Sequence, residues 1–125
     1  RHGHIDLFID TFNYNAHTTA SDALWAGVPI VTKKGKQFSA CVAASLLHSI
    51  GLDELITTTE SEYENLIIDL AKNKEQLERV KRQLANNRDI YPLFDTKQYV
   101  KNLEKIYRVA YDRYLNNKAC KNICL

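Results

Sequence analysis

The sequence predicts an α/β unit with parallel strands, flanking helices and a helical C-terminal end. Three observations carry this. Two short, mostly apolar runs, residues 5–9 and 28–31, each stand ahead of a helical pattern. Strand, helix, strand, helix and a brief strand then alternate, which argues for parallel pairing. After that only helical patterns remain.

Residues 5–9, rich in Ile and Phe, read as a buried strand. Residues 10–16 read as a loop, with Asn13 and Asn15 as turn formers. Residues 18–26 read as a helix: Thr18 or a neighbour can cap it, and Ala23, Leu24 and Ala26 favour it. Gly27 is well placed to end it. Residues 28–31 form the second strand, with Pro29 tolerated near its start. Lys33, Lys34 and Lys36 surround Gly35 in what reads as a solvated loop. Residues 38–50 read as a helix that is apolar nearly all round, so it should be covered on several sides, and Gly51 stops it.

Leu55 and Ile56 suit a brief third strand. Residues 57–59 supply threonine caps before an acidic first turn at Glu60, Glu62 and Glu64. Tyr63, Leu66, Ile67 and Leu70 then follow helical spacing. Residues 74–86 form another amphipathic helix on Leu77, Val80 and Leu84. Pro92 interrupts. Val100, Leu103, Tyr107, Ala110 and Tyr114 mark one face of a long last helix, so the domain is expected over residues 1–116, with a polar tail at 117–125.

At 125 residues, 45% hydrophobic and 26% charged, the chain has room for one domain or part of one. A net charge of +2 gives no reason to expect wholesale disorder, nucleic-acid binding or membrane binding. Three cysteines are too few and uneven for a disulfide framework, which suggests a reducing, cytoplasmic setting. Cys41 reads as a small buried packing residue, Cys120 and Cys124 as incidental. His2 and His4 lack a partner cluster, and no spacing suggests a metal site. The longest run without Lys, Arg, Asp or Glu, residues 37–52, is too short to span a bilayer. Methionine is absent and the chain opens on Arg1, so a piece of a longer protein is expected. A sheet of two or three strands would leave edges uncovered, which points the same way.

The chemistry concentrates in residues 10–29. A loop leaving the C-terminal end of a parallel strand and entering a helix is where open α/β sheets bind ligands. Free N–H groups and the helix dipole there attract phosphate. Thr18 and Thr19 add hydroxyl donors and His17 a side-chain donor. Asp22, one turn on, can accept hydrogen bonds from ribose hydroxyls. Together the set suits a nucleotide diphosphate. The plainer reading is two capping threonines, a first-turn aspartate and a structural histidine. Neither a Gly-x-Gly-x-x-Gly nor a Walker loop is present.

Asn15-Ala16-His17-Thr18-Thr19 with Asp22, then Leu24-Trp25-Ala26-Gly27-Val28-Pro29 and Val31-Thr32, closely resembles the C-terminal region of the O-linked N-acetylglucosamine transferase family, which includes Spindly-type relatives. The likeness continues through Val42-Ala43-Ala44-Ser45 and resumes at Pro92-Leu93-Phe94-Asp95-Thr96-Lys97-Gln98-Tyr99. The resemblance implies the C-terminal part of a Rossmann-like GT-B domain, usually preceded by tetratricopeptide repeats. It implies transfer of a sugar, with inversion, from a UDP-sugar such as UDP-GlcNAc to protein Ser/Thr hydroxyls, without metal or other cofactor. It assigns His17, Thr18 and Thr19 to the diphosphate and Asp22 to the ribose. Tyr14 stands near the sugar, where animal members carry a small residue, and Cys41 replaces a common arginine. The family's candidate base and donor-binding lysine lie upstream of Arg1, so no catalytic residue is expected in this chain. The competing reading is a non-catalytic nucleotide-binding or association module. Its last helix would then pack on a partner or on a second copy, rather than on the upstream half of the same protein.

Overall fold

The computed structural model describes residues 4–123. Two compact units divide it, the first running to Leu93 and the second starting at Phe94.

The first unit is built on β2 (Ile30–Lys33), flanked by β1 (Phe8–Ile9) and β3 (Ile56–Thr57) in a three-stranded parallel sheet of order β1-β2-β3. Phe8 pairs with Ile30 and Ile9 with Val31, while Thr32 pairs with Ile56 and Lys33 with Thr57. The central strand thus offers its first half to one neighbour and its second half to the other. Ile30, Val31 and Thr32 are all fully buried, as expected of a strand covered on both faces. The helices α1 (Thr18–Trp25), α2 (Val42–Ser49) and α3 (Glu60–Lys72) pack on β2, and α4 (Lys74–Asn87) packs on α3. Their inward residues, among them Leu24, Ala43, Leu47, Leu70, Val80 and Leu84, form one core with Ile50, Leu52 and Leu55.

Local chemistry explains the boundaries. Thr59 caps α3 in a full capping box: its hydroxyl accepts the Glu62 N–H, and Glu62 reaches back to the Thr58 and Thr59 N–H groups. Asn73 caps α4 through the Gln76 N–H. Gly27 ends α1 at φ +83°, and Gly51 follows α2 at φ +69°, both in the region that glycine enters without strain.

Four expectations are corrected. The strand expected over residues 5–9 contracts to Phe8–Ile9, where hydrogen-bonded partners on β2 are available. The helix expected over residues 38–50 breaks into a 3-10 turn, Phe38–Ala40, and α2. Neighbouring loops claim its first turn: the Ser39 carbonyl accepts the Asn15 N–H at 2.8 Å, and the Ala40 carbonyl accepts the Gly35 N–H at 2.7 Å. Cys41 is half-buried rather than buried, its thiol turned to the Gly35 carbonyl. Lys33 belongs to β2, not to a solvated loop. Its ammonium pairs with Glu60 at 2.9 Å and lies 4.1 Å from the centre of the Phe12 ring.

The second unit is α5 (Thr96–Leu115), capped by Asp95 through the Gln98 N–H, and residues that follow it. Tyr107, Tyr111 and Tyr114 are exposed, and Leu103 and Ile106 are half-buried. The chain leaves the helix through Asn117 at φ 50° and has no regular structure from residue 118 to residue 123. His2 and Cys124 lie outside the described residues. Among the described residues no helix is long and apolar enough to cross a membrane.

Candidate functional site

β1 ends at Ile9, and the next residue is a buried aspartate. Asp10 Oδ1 accepts the Ala16 N–H at 2.8 Å and Oδ2 accepts the Thr32 hydroxyl at 2.6 Å. The Asp10 carbonyl accepts the Tyr63 hydroxyl at 2.6 Å. Burial, and then the nearby Asp10 charge, push the Tyr63 phenol above its ordinary range, so it remains a donor at neutral pH. Asn15, also fully buried, closes the same loop: Nδ2 donates to the Thr11 carbonyl at 2.8 Å and Oδ1 faces the Ala43 N–H at 3.4 Å. Both polar side chains therefore spend their capacity on fixing residues 10–16.

That loop delivers His17 to the start of α1. His17, at φ −100° and ψ −91°, is the residue before the helix, and its side chain makes no capping hydrogen bond to the first turn. The expected Thr18 cap is therefore corrected: Thr18 is the first helical residue. The leading N–H groups of α1 point to the open end, where the dipole favours an anion. Thr18 and Thr19 are exposed beside them. The His17 imidazole is held between two rings. Tyr14 stacks on it at 4.7 Å, and Phe38 meets it edge-on at 6.3 Å. Its Nε2 is buried and, among the described residues, has no hydrogen-bond partner.

Tyr14, His17, Thr18 and Thr19 line one open cleft of about 440 Å³, floored by Phe8, Ile9 and Asp10. The structure thus brings four of the five expected residues together. Asp22 stands one turn further along α1, exposed and outside the cleft lining. Asp10 and Asn15 were missed as site residues. A charged residue directly after an apolar strand was the available signal for Asp10, whereas Asn15 looked like any turn former. Among the described residues no group of three or more His, Cys, Asp or Glu side chains is disposed to hold a metal.

A parallel sheet whose first strand feeds a cleft at an open helix N-terminus defines a Rossmann-like α/β unit, with that cleft where open α/β sheets place their ligands. More specifically, the chain belongs to glycosyl transferase family 41, whose family model matches residues 1–103. It is 42% identical over 103 residues to the "Probable UDP-N-acetylglucosamine--peptide N-acetylglucosaminyltransferase SEC" of Arabidopsis thaliana, covering 82% of this chain and 10% of that protein. The corresponding SPINDLY protein of Hordeum vulgare is 36% identical over 110 residues, covering 88% of this chain and 12% of its own length. A variant of the Thermobaculum terrenum O-GlcNAc transferase superposes with a TM-score of 0.80 at 33% identity, over 86% of this chain and 21% of that one. The fold is accordingly the expected part of a GT-B domain. The chain spans about a tenth of the length of the curated relatives it matches.

Proposed function

We propose that this chain supplies the donor-diphosphate and ribose part of a glycosyltransferase site. The complete protein would move N-acetylglucosamine from UDP-GlcNAc to Ser/Thr hydroxyls of a protein acceptor, with inversion. The observation that carries the reading is the start of α1 without a side-chain cap at the open cleft that His17, Thr18 and Thr19 line, with the buried His17 Nε2 left without a partner among the described residues. In the proposed chemistry the anomeric bond to the diphosphate breaks as the acceptor oxygen attacks from the opposite face. Charge grows on the departing diphosphate. The α1 N–H groups, His17, Thr18 and Thr19 stand ready to stabilise it, already oriented, which is where preorganised donors are most effective. Asp22 takes the ribose and Tyr14 borders the sugar. No metal or other cofactor enters the proposal, and the base comes from the remainder of the complete protein. Membership of glycosyl transferase family 41 supports the reading, as does the name of the Caenorhabditis elegans relative, a UDP-N-acetylglucosamine–peptide N-acetylglucosaminyltransferase that is 33% identical over 109 residues. A cytoplasmic location belongs to the same proposal.

The test is a calorimetric titration of the complete protein with UDP, GDP and their sugars. Tight UDP binding that His17→Ala weakens is expected. Preference for GDP would overturn the assigned donor, and indifference to His17→Ala would overturn the site.

A further inference from the structure

We propose that Asp10 is a positioning residue, which sets His17 and the first turn of α1 for the donor. The inference rests on the donor-site reading above. A buried carboxylate is costly unless paired or well hydrogen-bonded, and among the described residues no cation pairs with Asp10. An apolar residue at the end of β1 would be cheaper for stability alone. Instead, Asp10 is 4% exposed and its carboxylate joins two separate pieces of the unit. The carboxylate binds the central strand through the Thr32 hydroxyl and the last loop residue through the Ala16 N–H, while the Tyr63 hydroxyl of α3 donates to the Asp10 backbone carbonyl.

The position of the Ala16 contact decides the role. Asp10 and Ala16 are the two ends of the loop, and His17 follows immediately. A hydrogen bond of 2.8 Å between those ends closes the loop at fixed length. The Thr32 bond of 2.6 Å, from a fully buried hydroxyl, anchors that closure to β2. The α1 N–H groups and the His17 ring thus inherit their place from the sheet. Binding groups held this way lose little freedom when the ligand arrives, and small displacements of such groups are expensive. Asp10 lines the floor of the cleft, but both its carboxylate oxygens are committed to protein donors, so it acts through His17 rather than on the diphosphate.

The test is a double-mutant cycle on UDP affinity in the complete protein. Asp10→Ala is expected to weaken UDP binding about tenfold. Asp10→Asn keeps an acceptor for the Ala16 N–H and sets an amide against Thr32, so it should restore affinity to within about threefold of wild type. In a His17→Ala background, Asp10→Ala should add clearly less than its roughly tenfold loss in wild type, because the part that acts through His17 is already gone. If circular dichroism shows Asp10→Ala unfolded, Thr32→Val takes its place in the cycle, with a loss of about threefold that again shrinks without His17. Losses that multiply, or a wild-type affinity in the Ala variant, overturn the positioning role while His17→Ala alone still weakens binding. A His17→Ala protein with unchanged affinity overturns the donor site itself, and this proposal with it.

Discussion

The ring of Tyr14 stacks on the imidazole of His17, centroids 4.7 Å apart and planes 19° from parallel. Tyr14 is 65% exposed, so little of its area is spent on the core. Its work is to hold the imidazole, together with the edge contact from Phe38. Ring pairs of this kind contribute about 0.5–1.5 kcal/mol. Tyr14→Ala is therefore expected to weaken UDP binding roughly threefold to tenfold, while Tyr14→Phe keeps the stack and the affinity. Calorimetry on the complete protein checks both.

His17 carries the larger effect. His17→Ala is expected to lower turnover at least tenfold, about 1.4 kcal/mol of transition-state stabilisation. Steady-state kinetics with a UDP-sugar donor at saturating acceptor would show it. Wild-type kinetics in that variant would remove His17 from the mechanism.

Asp22 should separate from the diphosphate group. It stands exposed one turn beyond Thr18 and Thr19, outside the lining of their cleft. Asp22→Ala is expected to weaken UDP while leaving inorganic pyrophosphate binding unchanged, measured by competition. Equal losses for both ligands would contradict a ribose role.

The two helix-ending glycines should differ in cost. Gly27 has φ +83° and open space around an added Cβ, so Gly27→Ala meets backbone strain alone, about 1–2 kcal/mol. At Gly51, φ is +69° and an added Cβ would collide with the Tyr91 ring. Gly51→Ala should therefore destabilise more than Gly27→Ala, and Tyr91→Ala should recover part of the difference. Denaturant melts rank the variants.

Glu62 gives a pH dependence with a definite sign. The Thr58 backbone N–H first, then its hydroxyl and the Thr59 N–H, hold the carboxyl below its ordinary 4.5. A carboxylate depressed in the folded state stabilises fully above its unfolded value, and that stabilisation fades as pH falls through the folded value. Glu62→Gln should thus lower the melting temperature near about pH 7 and narrow the gap to wild type below about pH 4. A gap independent of pH would rule out the charge as the source of the capping effect.

Much of this was legible one residue at a time. Helical spacing at Tyr63, Leu66, Ile67 and Leu70, the threonine and acidic start of α3, and the stops at Gly27 and Gly51 are local signals, and the elements formed where they pointed. The motif Asn15-Ala16-His17-Thr18-Thr19 likewise marked the cleft, because a strand-loop-helix passage places its own residues there. Other features depended on partners far along the chain. Lys33 read as a solvated charge until Glu60, 27 positions away, was beside it. The break at Cys41 follows from backbone groups drawn to Gly35 and Asn15, not from any helix-breaking residue.

The sequence by itself determined the parallel α/β pattern, the threonine cap of α3 and the neighbourhood of the site, since periodicity and capping act within a few residues. Only the tertiary structure decided that Asp10 would be buried, because Thr32, which donates to its carboxylate, and Tyr63, which donates to its carbonyl, lie 22 and 53 positions away. A buried polar group is tolerable only where distant donors converge on it. Folding alone creates that convergence.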